Sequence, residues 1–287
     1  MQEQDFPALY RSANNRSLEY QTYFFRALKV NLALLVITAI LSITNIPHWS
    51  VAMFQLLVLL GAMSCSIYLF ARRPERYWYA SRAVAESIKT ITWRYVCRAE
   101  PFQGDDVTAR GDFQKRLQAI VDQNKDVAQS LSDYLEASQI SSVMTQMRAH
   151  PLDERKMAYA TGRIKNQLTW YAKKAAFNRR TSNGFFWVLI ATNGAAILCA
   201  ILRIKLVEIP FWPTDVFVAA AASLLSWMQA KRFSELAASY ALAAHEISLI
   251  REQASLPNSD TEFSLFVGDA ENAFSREHTQ WVARKDV

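Results

Sequence analysis

Between Val30 and Ala71 the chain runs for 42 residues without an Asp, Glu, Lys or Arg. A surface helix of a soluble protein interrupts its apolar residues with charges every turn or two, and nothing here does so. About 20 helical residues at about 1.5 Å rise cross a hydrocarbon core of about 30 Å, so the run is long enough for two spans. Asn45-Ile-Pro-His-Trp-Ser50 divides it: Pro47 removes a backbone donor and disfavours helix at Ile46, while Trp49 suits a membrane interface. The first span is expected near residues 27–46 and the second near 49–71. The ten Leu, Ile and Val residues from Val30 to Ile46 favour insertion by roughly 3 to 6 kcal/mol, before Asn31 and Asn45 are subtracted.

A second uncharged run of 22 residues, Thr181 to Leu202, predicts a third span near 182–202. A fourth is expected near 209–230, entered through Pro210, Trp212 and Pro213, with Asp215 in its first turn, where the helix dipole favours a carboxylate. The expected fold class is therefore an all-α membrane protein, with four transmembrane helices in two hairpins and long amphipathic cytoplasmic helices. Buried helices of a soluble bundle are the alternative, because periodicity alone does not separate the two. With 51% hydrophobic residues, 7 Gly and 8 Pro, disordered, collagen-like and linker-dominated classes are excluded.

The net charge of +6 could mean nucleic acid or an anionic surface, but the positions of the charges decide otherwise. Arg16, Arg26 and Lys29 precede the first span, and Arg72, Arg73, Arg76 and Arg82 follow the second. Lys173, Lys174, Arg179 and Arg180 precede the third, and Lys231 and Arg232 follow the fourth. Against these 13, only Arg203 and Lys205 lie in the hairpin turns. The positive-inside rule then places both termini and the middle region in the cytoplasm, and nucleic acid is not expected as a partner. No signal peptide is expected, because a second span follows the first directly.

The remaining sequence reads as amphipathic helix. Val84, Ile88, Ile91 and Tyr95 share one face, and Arg82, Glu86 and Lys89 share another at ion-pair spacing. Phe113, Leu117, Ile120, Val127 and Leu131 form a second stripe. Met157, Ala160, Ile164, Leu168, Tyr171 and Ala175 form a third, and Leu236, Tyr240, Ala243, Ile247 and Ile250 a fourth. Each half of the chain also runs through two spans, a dibasic step (Arg72-Arg73 or Lys231-Arg232) and a helix carrying Glu86 or Glu246, which reads as a weak internal repeat. Any pair of membrane hairpins would share part of that pattern.

No nucleophile elbow, P-loop, Gly-rich dinucleotide turn or metal spacing is present, and Cys65, Cys97 and Cys199 are too scattered for a disulfide framework. His278 in Ser275-Arg-Glu-His-Thr279 has acid, base and hydroxyl neighbours, but five adjacent helical residues point in different directions. No enzyme activity and no cofactor are expected. Polar groups within spans carry more information, since in hydrocarbon they must find protein or water. Asn31, Thr38, Ser42 and Asn45 fall on one face of the first span, either as a pore-lining stripe or as hydrogen bonds between helices. Ala219, Ala222, Ser223, Ser226 and Ala230 give the fourth span a small-residue face that permits close helix packing.

Four segments resemble the SLATT membrane family. These are Leu9-Tyr-Arg-Ser-Ala-Asn-Asn15 with Gln21-Thr-Tyr-Phe24; Arg76-Tyr-Trp-Tyr79 through Arg82, Ala85-Glu86, Lys89 and Trp93-Arg-Tyr95 to Pro101-Phe102; Tyr159 through Arg163-Ile164, Gln167-Leu-Thr-Trp-Tyr171 and Lys174-Ala175 to Asn178; and Phe274-Ser-Arg-Glu-His-Thr-Gln-Trp281. The resemblance implies two adjoining modules, 1–105 and 151–287, joined by a helical cytoplasmic connector at 106–150. It further implies an oligomeric effector of bacterial antiviral or conflict systems, in the inner membrane, that opens a pore when a cytoplasmic sensor or nucleotide-signalling partner is triggered. The lipid bilayer and further copies of the chain are the other expected partners. A membrane scaffold that anchors a cytoplasmic defence or signalling enzyme without forming a pore would need the same spans and the same charge pattern.

Overall fold

The computed structural model describes residues 1–283 apart from 45, 47 and 207, with side chains described as far as Ser275. It is 83% helix, and no strand occurs among the described residues. The helices are α1 (Ala8–Thr44), α2 (Trp49–Arg72), α3 (Pro74–Val96), α4 (Asp106–Gln123), α5 (Lys125–Ala128), α6 (Ser142–Ala149), α7 (Leu152–Tyr159), α8 (Asn166–Lys205), α9 (Thr214–Lys231), α10 (Phe233–Gln253) and α11 (Asp260–Ala283). A π-helical turn, Ala160–Lys165, joins α7 to α8. The chain forms two compact units, one made of residues 1–21, 74–172 and 241–287 and the other of residues 22–73 and 173–240.

The second unit holds the apolar helices. Among the described residues three stretches, within α1, within α2 and within Leu152–Lys205, are long and apolar enough to cross a membrane. Of the most apolar window in each, 0%, 11% and 6% respectively is buried inside the protein. Helices at the heart of a soluble bundle would hide these residues, whereas Phe54, Leu57, Phe70, Trp187 and Ile197 are all more than half exposed. Outward-facing apolar side chains of this density match lipid rather than water. Within the unit α1 touches α2: a Cβ on Gly61 would stand 3.3 Å from Leu34 Cδ1, and Gln55 Nε2 donates to Ser42 Oγ at 2.8 Å.

The fourth expected span differs from the sequence reading. Helix α9 begins at Thr214 rather than near residue 209, has 18 residues, and is not among the three stretches of sufficient length and apolarity. Two proline residues at 210 and 213 keep the entry out of helix, and Ala219 to Ala222 contribute little hydropathy beside Asp215, Gln229 and Lys231.

The first unit is a helical domain with its own core. Its centre is α3, which packs along α11 and also meets α4, α5 and α6. Val84, Ile88, Trp93, Tyr95 and Val96 on α3 are buried, with Phe113 and Leu117 of α4, Val127 of α5 and Phe263, Val267 and Phe274 of α11. Tyr95, Phe102 and Phe113 form an aromatic trio with ring centroids 4.8 to 5.9 Å apart. The expected α4 stripe is present, but Asn124 interrupts it before Val127.

The stripe assigned to residues 157–175 is shifted in its first turn. Met157 is 62% exposed, and Tyr159 and Arg155 are buried instead. The cause is the π-turn. An α-helix returns to the same face after three or four residues, but the i to i+5 spacing of a π-turn adds one residue, so Tyr159 and Ile164 share the inner face. Beyond the turn, Ile164, Tyr171 and Asn178 recur every seven residues on the buried side.

Candidate functional site

Two places concentrate polar chemistry where it costs most: the face of α1 in the membrane-type unit, and the π-turn in the other.

On α1, Thr38 Oγ1 donates to its own helix at Leu34 O (2.9 Å), while Ser42 Oγ accepts from Gln55 of α2. Asn31 is half-buried, and its Oδ1 has no hydrogen-bond partner among the described residues. Asn45 lies outside the described residues. On α9, Ala219, Ser223 and Ala230 are half-buried, and Ala222 and Ser226 are exposed, with Ser226 Oγ donating to Ala222 O at 2.9 Å. Ala221, beside the expected face, is the most buried of this small-residue run. The small face is thus only partly covered within one chain, and its Ala222–Ser226 edge is open.

Midway along the same α1, just before its uncharged run, and at the end of α9, the sequence reading missed an aromatic cluster. Phe25 and Trp227 meet edge to face at 5.7 Å, Lys231 Nζ sits 3.3 Å from the Phe25 ring centre, and Lys29 Nζ and Lys231 Nζ each lie 5.3 Å from that of Trp227. Cation–π contacts of this kind hold lysines at the end of an apolar helix.

The π-turn carries the most demanding arrangement. It places Arg163 inside the unit at 1% exposure, opposite Glu271 of α11 at 0%. Arg163 Nε donates to Glu271 Oε1 at 2.8 Å and Nη2 to Oε2 at 2.7 Å, a two-pronged pairing. Tyr159 OH donates to Oε1 and Thr90 Oγ1 to Oε2, both at 3.0 Å, so the carboxylate accepts four hydrogen bonds. Phe274 lies beneath the guanidinium at 5.0 Å and Trp93 packs edge to face on Tyr159 at 5.8 Å. Burial alone would lower the Arg163 pKa, but Glu271 holds it above its ordinary value. Burial and then the Glu271 charge push the Tyr159 hydroxyl well up, so it stays a donor.

Beside this pair lies a second buried carboxylate. Glu86 is 1% exposed and is met by Arg82 Nη2 at 2.5 Å and Lys89 Nζ at 3.9 Å, the partners expected from the spacing. The pairing is enclosed because α3 is covered on most sides. Burial lowers the Lys89 pKa, with Glu86 opposing and Arg163 and Arg82 adding to the fall. Burial, then Glu86, lifts the Tyr10 hydroxyl to about 12.

Two further buried arginines tie down loops. Arg148 donates through Nη1 to Tyr95 O and Phe102 O, through Nη2 to Gly104 O and through Nε to Asp106 Oδ1, at 2.8 to 2.9 Å. Arg155 donates to Cys97 O and His150 O and pairs with Asp260. Arg155, Arg163 and Glu271 had no functional place in the sequence reading; their signal was a charge falling on or beside an apolar face. The side chains of 276–279 in the His278 segment lie outside the described residues.

No curated protein and no solved structure matches the chain. Two family descriptions do: SMODS and SLOG-associating 2TM effector domain 3 matches residues 7–156, and SMODS and SLOG-associating 2TM effector domain 1 matches residues 159–281. With one match covering more than half of the chain and the second starting three residues later, the chain belongs to the SLATT family and carries two adjoining SLATT domains.

Proposed function

We propose that this protein is an oligomeric effector of a bacterial antiviral or conflict system, lodged in the inner membrane, that opens a pore when a sensor partner or signal triggers it. The observation that carries the reading is the pair of SLATT domains, described as two-span effector domains, on a chain whose long apolar helices keep their side chains outward. The charge pattern supports four spans with both termini cytoplasmic, α9 being the fourth, drawn through a close helix contact despite its modest apolarity. The open Ala222–Ser226 edge supplies a surface on which copies associate. The protein acts by assembly rather than by catalysis.

In the conducting form the face carrying Asn31, Thr38, Ser42 and Asn45 lines the path. Thr38 and Ser42 are engaged in hydrogen bonds within one chain. Opening then requires Ser42 to exchange Gln55 for water, a shift of population between two packings. Thr38→Leu with Ser42→Leu is expected to lower single-channel conductance several-fold while leaving insertion intact; wild-type conductance would remove this face from the pore. In a cysteine-free background, a cysteine at His48 or Glu208 should label from outside and one at Asp126 from inside, and outside labelling at Asp126 would overturn the topology. A membrane anchor without a pore would show the same labelling and no conductance.

A further inference from the structure

A cavity of about 210 Å³ opens beside Arg163, walled by Phe6, Tyr10, Lys89, Trp93 and Gln167. Arg163 spends Nε and Nη2 on Glu271, and its remaining nitrogen, Nη1, is buried with no hydrogen-bond partner among the described residues. A buried guanidinium N–H without an acceptor is costly, and natural proteins leave few of them. Lys89 and Arg163 line the cavity as cations, and the one carboxylate on its wall among the described residues, Glu3, is exposed to water and accepts from Asn14.

Three features distinguish this space from a water pocket. Its walls are partly aromatic, with Phe6 against Tyr10 at 4.8 Å and against Trp93 at 6.4 Å. Its volume is roughly that of seven waters, enough for a small ring with one charged group. Its floor is the π-turn, a feature that recurs at functional sites, where Gly162 leaves room for Trp93: a Cβ there would stand 3.0 Å from the indole.

We propose that this cavity binds a small aromatic oxyanion, an aryl carboxylate or an aryl phosphate ester. Its charged oxygens take Arg163 Nη1, Lys89 Nζ and Tyr10 OH, and its ring lies against Trp93. The proposal goes beyond the pore reading and stands whether or not the apolar helices conduct, because its test reads binding alone. Calorimetric titration of the full chain in detergent, at physiological salt, would use benzoate, phenyl phosphate and inorganic phosphate, with neutral benzamide as control. At least one of the three anions is expected to bind saturably, and more than tenfold tighter than benzamide; which one does separates carboxylate from phosphate. Lys89→Met or Tyr10→Phe, both of which leave the Arg163–Glu271 pair in place, is expected to weaken that binding about tenfold. Saturable binding by none of the anions, benzamide binding within tenfold of the tightest anion, or full wild-type affinity in both variants would overturn the site.

Discussion

Arg163 and Glu271 lie 108 residues apart and meet with no exposure to water. Removing two charges from water costs several kcal/mol each, and only good geometry with every lone pair engaged recovers it. Here Tyr159 and Thr90 complete the shell around Glu271. Glu271→Leu leaves Arg163 charged, buried and unpaired, and is expected to destabilise the first unit by about 3 to 5 kcal/mol. Thr90→Val removes one neutral donor among four and should cost about 1 kcal/mol. Chemical denaturation in detergent, followed by the fluorescence of Trp93 with the other seven tryptophans replaced by Phe, checks the ranking. Equal losses in the two variants would mean that the carboxylate is not the organising group. The three buried arginines, 148, 155 and 163, were hard to see in advance because Arg is rarely buried, and each becomes affordable only through carbonyls or carboxylates brought from far along the chain.

At the scale of elements, α2 and α9 end in the same local device. Arg73 after α2 and Arg232 after α9 both adopt the left-handed conformation, with φ of 42° and 51°, and each backbone N–H closes on the carbonyl four residues back. A new helix starts at the next residue in both cases. The dibasic steps that marked a repeat in the sequence are thus matching helix ends, each with an arginine as its second residue where glycine is usual. Because a side chain in that conformation carries a cost, Arg73→Gly should stabilise the turn by roughly 0.5 to 1 kcal/mol relative to Arg73→Ala, read as a difference in denaturation midpoint. No difference would mean that the arginine side chain itself sustains the turn. Helix positions and inner faces were legible wherever a 3.6-residue period held, as in Val84, Ile88 and Tyr95 or Phe113 and Leu117. The period failed where the backbone changed its own repeat, at the π-turn, which turned Met157 outward and brought Tyr159 and Arg163 in. The polar stripe of α1 was legible as a face, but what each group bonds to depends on α2, and Gln55 carried no mark of its role.

For the whole molecule, two helices stand out by length. α1 has 37 residues and α8 has 40, each about twice what a bilayer core requires, and both contribute residues to the two units. On the proposed function, an unbroken helix offers a direct way for a change among the buried charges of the first unit to reach the apolar spans. On that proposal the Arg163–Glu271 pair, with Arg163 three residues before α8 begins, acts as part of the latch that keeps the resting assembly closed. Dye release from sealed vesicles tests this most directly, with wild-type protein and Glu271→Leu reconstituted at matched density and assembled to the same oligomer mass. Tight vesicles with the wild type and release at least tenfold faster with Glu271→Leu are expected. Vesicles that stay sealed with both, although both proteins are inserted and oligomeric, would contradict a pore-forming effector.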